Sequence, residues 1–93
     1  METIRQQMIR LLSTDVCSAR DLSQMLRIQE KEVYSHLSHI ARSVVSQSHR
    51  LVVIPSRCLA CGHIFDKRTK LTKPSRCPRC RGERIEHPKY QVV

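Results

Sequence analysis

Residues 58 to 80 read CLACGHIFDKRTKLTKPSRCPRC, and within them Cys58, Cys61, Cys77 and Cys80 are spaced C-x2-C-x15-C-x2-C. Each Cys-x-x-Cys can wrap one side of a cation, and the loop between the pairs is long enough to fold the second back onto the first. Four thiolates meet the tetrahedral demand of Zn2+, with Zn–S near ~2.3 Å, and leave no open position for water or substrate. The expected metal is therefore one structural zinc. Gly62 directly follows Cys61, where a residue without Cβ takes positive φ and is expected to aim its N–H at a ligand sulfur. Pro78 presets φ for the second turn. Arg81 stands where the first turn has Gly62, with Gly82 one residue later, which predicts a second turn that is less ideal or shifted by one.

Other uses of the cysteines fit less well. Disulfides need an oxidising compartment, but the five cysteines are an odd number and METIRQQMIRLLS (1–13) has no unbroken apolar run of the secretory kind. The expected location is cytoplasmic. A thioredoxin-type redox pair needs one Cys-x-x-Cys at a strand-to-helix junction within a βαβ pattern, which the sequence does not offer. Iron is the remaining alternative, because a cage of four thiolates accepts either metal, and the chain would then be a rubredoxin-like electron carrier. Cys17, flanked by Val16, reads as a small buried hydrophobe. His63 reads as exposed or packed behind the ligands, and His36 and His39 as surface residues.

Size and charge bound the function. The chain has 93 residues, 40% of them hydrophobic, with no Trp, one Phe and two Tyr, so its core must rest on Leu, Ile, Val and Met. That suffices for one small domain with a metal-stapled appendage, where metal-binding free energy becomes folding free energy. The net charge of +9 is lopsided: residues 1–48 carry six Arg/Lys against five Asp/Glu, residues 49–93 eleven against three. Zn2+ with four thiolates adds −2, which leaves the cysteine half at about +6. Such a field attracts a polyanion, and nucleic acid is the commonest one inside a cell. A membrane is not expected, since no basic amphipathic helix and no run of 18 apolar residues occurs. With two glycines, no phosphate loop and no paired acid and base, no enzyme chemistry is expected either.

Periodicity predicts three helices. Ile4, Met8, Leu11 and Leu12 make one apolar stripe, with Thr3-x-x-Gln6 as a capping box, and the helix runs to about Ser13. Ile9 lies off that stripe and is a candidate for a dimer surface, which one residue does not decide. Ser18-x-x-Asp21 opens a short second helix from about Ala19 to Arg27, carrying Leu22, Met25 and Leu26. Val33, Leu37, Ile40, Ala41 and Val44 define a third, with Glu30 and Glu32 near its positive end and Gln29 where a Ser or Thr cap is usual. RLVVIP (50–55) and IEHPKYQVV (85–93) read as extended segments.

The run DLSQMLRIQEKEVYSHLSHI (21–40) resembles the helix-turn-helix core of winged-helix transcriptional regulators. With the cysteine arm added, nearly the whole chain resembles a prokaryotic group in which a winged helix carries a rubredoxin-like zinc ribbon. The resemblance implies a small α+β fold, a winged helix-turn-helix of three helices plus a β wing, with the four-cysteine ribbon inserted at or following the wing. Residues 1–54 would form the helical core, 55–86 the ribbon and 87–93 a returning wing strand. Leu51 to Ile54 would pair with the segment from Lys89 to Val93, and Pro88 would take an edge or strand-start position. The resemblance also implies a homodimer with double-stranded DNA as its partner. The third helix would read the major groove with Lys31, Tyr34, Ser35, Ser38, His39 and Arg42. Lys67, Arg68, Lys70 and Lys73 of the ribbon loop would meet phosphates, supplying affinity more than sequence choice. A ribbon that docks a protein or RNA of the transcription or translation machinery is the other alternative.

Overall fold

The computed structural model describes residues 1–68 and 70–93. Its first helix, α1 (Ile4–Thr14), begins at the anticipated capping box, in which the Thr3 hydroxyl accepts the Gln6 N–H at 3.2 Å and the Gln6 side chain accepts the Thr3 N–H at 2.8 Å. The second, α2 (Ala19–Leu26), repeats the device with Ser18 and Asp21 at 3.1 and 3.0 Å. It stops one residue before the expected end because Arg27 turns left-handed at φ 56° and breaks the ladder. The third, α3 (Glu30–Ser43), starts at Gln29 with no side-chain cap, and Glu30 and Glu32 in its first turn supply negative charge there instead. A 3-10 turn, Val44–Gln47, follows directly.

Three short strands complete the fold: β1 (Cys17–Ser18), β2 (Leu51–Ile54) and β3 (Lys89–Val92) form one antiparallel sheet in the order β1-β3-β2. The two segments expected to pair do so, with Leu51 opposite Val92 and Val53 opposite Tyr90. Sequence reading gave no strand at residues 17–18, because two residues carry no periodicity; Cys17 is drawn opposite Tyr90 by tertiary contact. The last segment of the chain is thus the central strand, and Pro88, which cannot donate to a ladder, sits just before it.

Met8, Leu12, Leu22, Val33, Leu37, Ile40, Val44 and Tyr90 are all fully buried and build the core with Cys17, Ala19 and Val92. Tyr90 is the largest side chain wholly inside. Ile9, the candidate for a dimer surface, is half-buried and packs partly against this core. Between β2 and β3 the chain makes the ribbon, joined by antiparallel bridges Arg57–Ile64 and Cys58–Ile85. There the buried apolar side chains among those described are Cys58, Cys77, Ile85 and two prolines, Pro74 and Pro88. So small a cluster leaves the shape of the arm to the metal. Among the described residues no helix is long and apolar enough to cross a membrane.

Candidate metal centre

The two Cys-x-x-Cys turns are near copies of one another. In the first, the Gly62 N–H donates to the Cys58 carbonyl at 2.9 Å; in the second, the Arg81 N–H donates to the Cys77 carbonyl at 2.8 Å. Gly62 has φ 82° and Arg81 has φ 61°. Of the two expected outcomes the second turn is the less ideal one, and it is not shifted by one residue. Arg81 itself adopts the left-handed conformation, which costs a residue with a Cβ roughly 1–2 kcal/mol.

The expected role of Gly62 also needs correction, since its N–H is taken by a carbonyl. Other amides face the sulfurs: those of Cys61 and Ala60 reach Cys58, those of Cys80 and Arg79 reach Cys77, and that of His63 reaches Cys61. The Gly82 N–H reaches Cys80 Sγ at 3.4 Å. Gly82 carries no Cβ, and one built there would lie 3.2 Å from that sulfur.

All four sulfurs lie within 4.8 Å of one another, with Cys58 Sγ to Cys80 Sγ at 3.5 Å and Cys61 Sγ to Cys77 Sγ at 3.6 Å. A disulfide needs about 2.05 Å. A tetrahedron with ~2.3 Å Zn–S bonds has edges of roughly 3.8 Å, so the cage fits a zinc ion. The four thiols are unevenly tuned by their surroundings. Amide donors, first that of Cys61, hold the Cys58 thiol down to about 6 despite its burial. At Cys77 burial pushes upward, yet the Cys80 and Arg79 amides prevail and lower it. At Cys80 the Gly82 amide pulls downward, but the neighbouring Cys58 thiol and burial raise it to about 12. Cys61 has the His63 amide in its favour and is still raised, by burial and by Cys77 and Cys58. Four crowded sulfurs cannot all ionise on their own; a divalent cation at their centre lets them.

The remaining candidates fall as follows. His63 is half-buried, its ring edge-on to Phe65 with centroids 4.8 Å apart. His36 Nδ1 accepts from Arg5 Nε at 3.1 Å, and His39 is exposed. Cys17 is buried as expected, and burial, then Asp15 and Asp21, raise its thiol pKa.

On α3, Lys31, Ser35, His39 and Arg42 are exposed opposite the buried Val33, Leu37 and Ile40. Tyr34 and Ser38 are half-buried, because the ribbon loop folds back beside them. Tyr34, Ser38, Ala41 and Arg42 of the helix and Lys70, Leu71 and Thr72 of the loop line one open groove of about 530 Å³. Burial raises the Tyr34 pKa, partly offset by the Lys73 backbone N–H. Lys67 is exposed and does not line this groove, and Lys73 is half-buried. Arg68 is exposed but braces the loop, its Nε on the Thr72 carbonyl at 3.1 Å and its Nη2 on the Thr72 hydroxyl at 3.2 Å. Sequence reasoning missed Leu71, which packs against the helical core and whose carbonyl accepts the Tyr90 hydroxyl. A lone leucine inside KRTKLTKP (67–74) was the available signal.

A closed four-thiolate ribbon on a small α+β core of three helices and an antiparallel sheet, among the described residues, defines a zinc-ribbon protein with one structural Zn2+. The chain belongs to the PF0610-like family: the model for the PF0610-like N-terminal domain matches residues 3–53, and that for the PF0610 rubredoxin-like zinc beta-ribbon domain matches residues 55–93. Its structure is similar to the solution NMR structure of protein PF0610 from Pyrococcus furiosus, with a TM-score of 0.82 at 28% identity over 97% of this chain and 88% of that one. No curated protein matches it.

Proposed function

We propose that this chain is a DNA-binding transcriptional regulator that acts as a cytoplasmic homodimer on duplex DNA and carries out no enzyme chemistry. The observation that carries the reading is α3: it buries Val33, Leu37 and Ile40 and turns Lys31, Ser35, His39 and Arg42 to solvent, in a chain of net charge +9. A helix about 10–12 Å across fits the ≈ 12 Å major groove, where Arg and Lys donate to guanine or phosphate and Ser and His bond base edges. In this reading α2, the turn through Ile28 and α3 are the helix-turn-helix, β2 and β3 are the wing, and the zinc ribbon is carried at its tip. The ribbon cations add phosphate affinity.

Selection from a random duplex pool, followed by titration of the recovered motif at two salt concentrations, tests it. A recovered motif supports the regulator, and its symmetry reports the dimer. The adaptor reading draws on Leu59 and Ile64, which are 51% and 43% exposed on the ribbon and are apolar side chains of no use to phosphates. It predicts weak, sequence-blind DNA binding and no recovered motif.

A further inference from the structure

We propose that α3 and the ribbon loop form the two walls of a clamp for one DNA phosphate, with Arg42 on the helix wall and Lys70 on the loop wall. Tyr90 is the residue that positions the loop wall. The inference rests on the DNA-binding reading above and adds to it where the strand is held and what holds it.

The argument starts from the helix face. Lys31, Ser35, Ser38 and Arg42 recur at i, i+4, i+7 and i+11, one stripe of α3. If that stripe faces base edges, the sugar-phosphate backbone must pass along the helix flank. On one flank stand Tyr34 and Ala41, and across from them the loop brings Lys70, so that Arg42 and Lys70 line the same open groove. Among the described residues no carboxylate lines it. Among the described residues neither cation has a salt-bridge partner, the pairs formed being Arg10–Glu2 and Arg57–Glu86. Two unpaired cations facing one groove repel each other and are relieved by an anion between them. The floor between them includes Ala41 and Leu71, which suit the apolar face of a deoxyribose.

A loop of this kind holds a charge in place only if it is itself held. Three ties do so: Arg68 bonds Thr72, the Lys73 backbone N–H reaches the Tyr34 hydroxyl, and the buried Tyr90 hydroxyl donates to the Leu71 carbonyl. The last crosses from the central strand of the helical core to the residue next to Lys70. It places the second wall relative to α3.

The test is anisotropy titration of a labelled duplex by the zinc-loaded full chain over a range of salt. Arg42→Ala, Lys70→Ala, the double variant and Tyr90→Phe are compared with the parent. One shared phosphate loses its neutralising charge only when both cations go, so the log-log salt slope falls by about 0.9 in the double variant and by no more than that in either single one. Affinity at ~0.1 M salt falls by ~10-fold in the double variant and by less in each single one. Tyr90→Phe should keep its zinc and helicity, weaken binding about as much as Lys70→Ala, and add nothing in the Lys70→Ala background. Losses that add to a slope change of about 1.8 would mean two separate contacts and overturn the clamp. So would an unchanged slope in the double variant, and unchanged affinity in Tyr90→Phe overturns its positioning role. If the parent protein ignores every duplex, the DNA-binding reading falls, and the clamp with it.

Discussion

Stripping the metal with a strong chelator should unfold the chain in three tiers, and amide hydrogen exchange can read each one. In residues 55–86 the buried apolar side chains other than the ligand cysteines are Pro74 and Ile85 among those described, and burying Ile85 contributes about 1.5–3 kcal/mol. A structural zinc in a small domain contributes ~10–16 kcal/mol, several times more, so this stretch cannot stay folded without it. The helical core keeps Met8, Leu12, Leu22, Val33, Leu37 and Ile40 fully buried, none of which touches the cage, and α1 to α3 should stay protected. The β2–β3 pair lies between these limits. Without the metal its strands are joined by 34 disordered residues, whose closure costs roughly 3 kcal/mol, against about 1.5–3 kcal/mol each from burying Tyr90 and Val92. Chelation should therefore abolish protection of the Cys58, Leu59, Gly62, Cys77, Arg81 and Glu86 amides, all hydrogen-bonded within the ribbon. Protection of the β2–β3 amides should fall partway, and that of α3 should hold. Cys58→Ser or Cys80→Ser should reproduce the pattern. Unchanged protection at the six ribbon amides would refute the claim that the metal folds the arm, and loss of α3 protection would refute the independence of the core.

Leu37 is fully buried at the centre of α3, so Leu37→Ala should lower the unfolding free energy by about 2–5 kcal/mol in a denaturant titration, and a loss below about 1 would show that the site collapses around the gap. Ser18→Ala removes the acceptor for the Asp21 N–H at the start of α2 and should cost about 0.5–2 kcal/mol in the same assay. The Asp21 carboxyl lies below its ordinary value, first because it accepts the Ser18 backbone N–H and then, against burial, through the Ser18 side chain, Lys89 and His87. A folded pKa below the unfolded ~3.9 gives stability that is present above about pH 4 and lost as pH falls through the folded value. Melting temperatures followed from pH 6 to 2 should thus fall less steeply for Asp21→Asn than for the parent, and parallel curves would argue against the assignment. Arg81→Gly removes left-handed strain, so the variant should hold zinc against a competing chelator at least as well as the parent; weaker retention would show that the arginine side chain supports the turn.

Much of this protein is written locally. The metal cage follows from four cysteines because each Cys-x-x-Cys closes its own turn, and the spacing survives whatever the rest of the chain does. The helix starts at Thr3 and Ser18 were readable for the same reason, since a capping box needs only residues three apart. The left-handed Arg81 escaped, because sequence marks such positions by glycine and here an adjacent sulfur cage imposes the geometry on another residue. Strand β1 escaped because two residues have no period, and what makes Cys17 extended is Tyr90, far along the chain. The ribbon loop lying against α3 escaped too: Leu71 offers one apolar side chain, and its place is set by a core that also needs the last strand. Sequence alone determined which residues bind metal and which turn into helix, since those choices depend on near neighbours; only the tertiary structure decided that the cationic loop stands beside α3, because that contact joins segments whose meeting depends on the whole core closing.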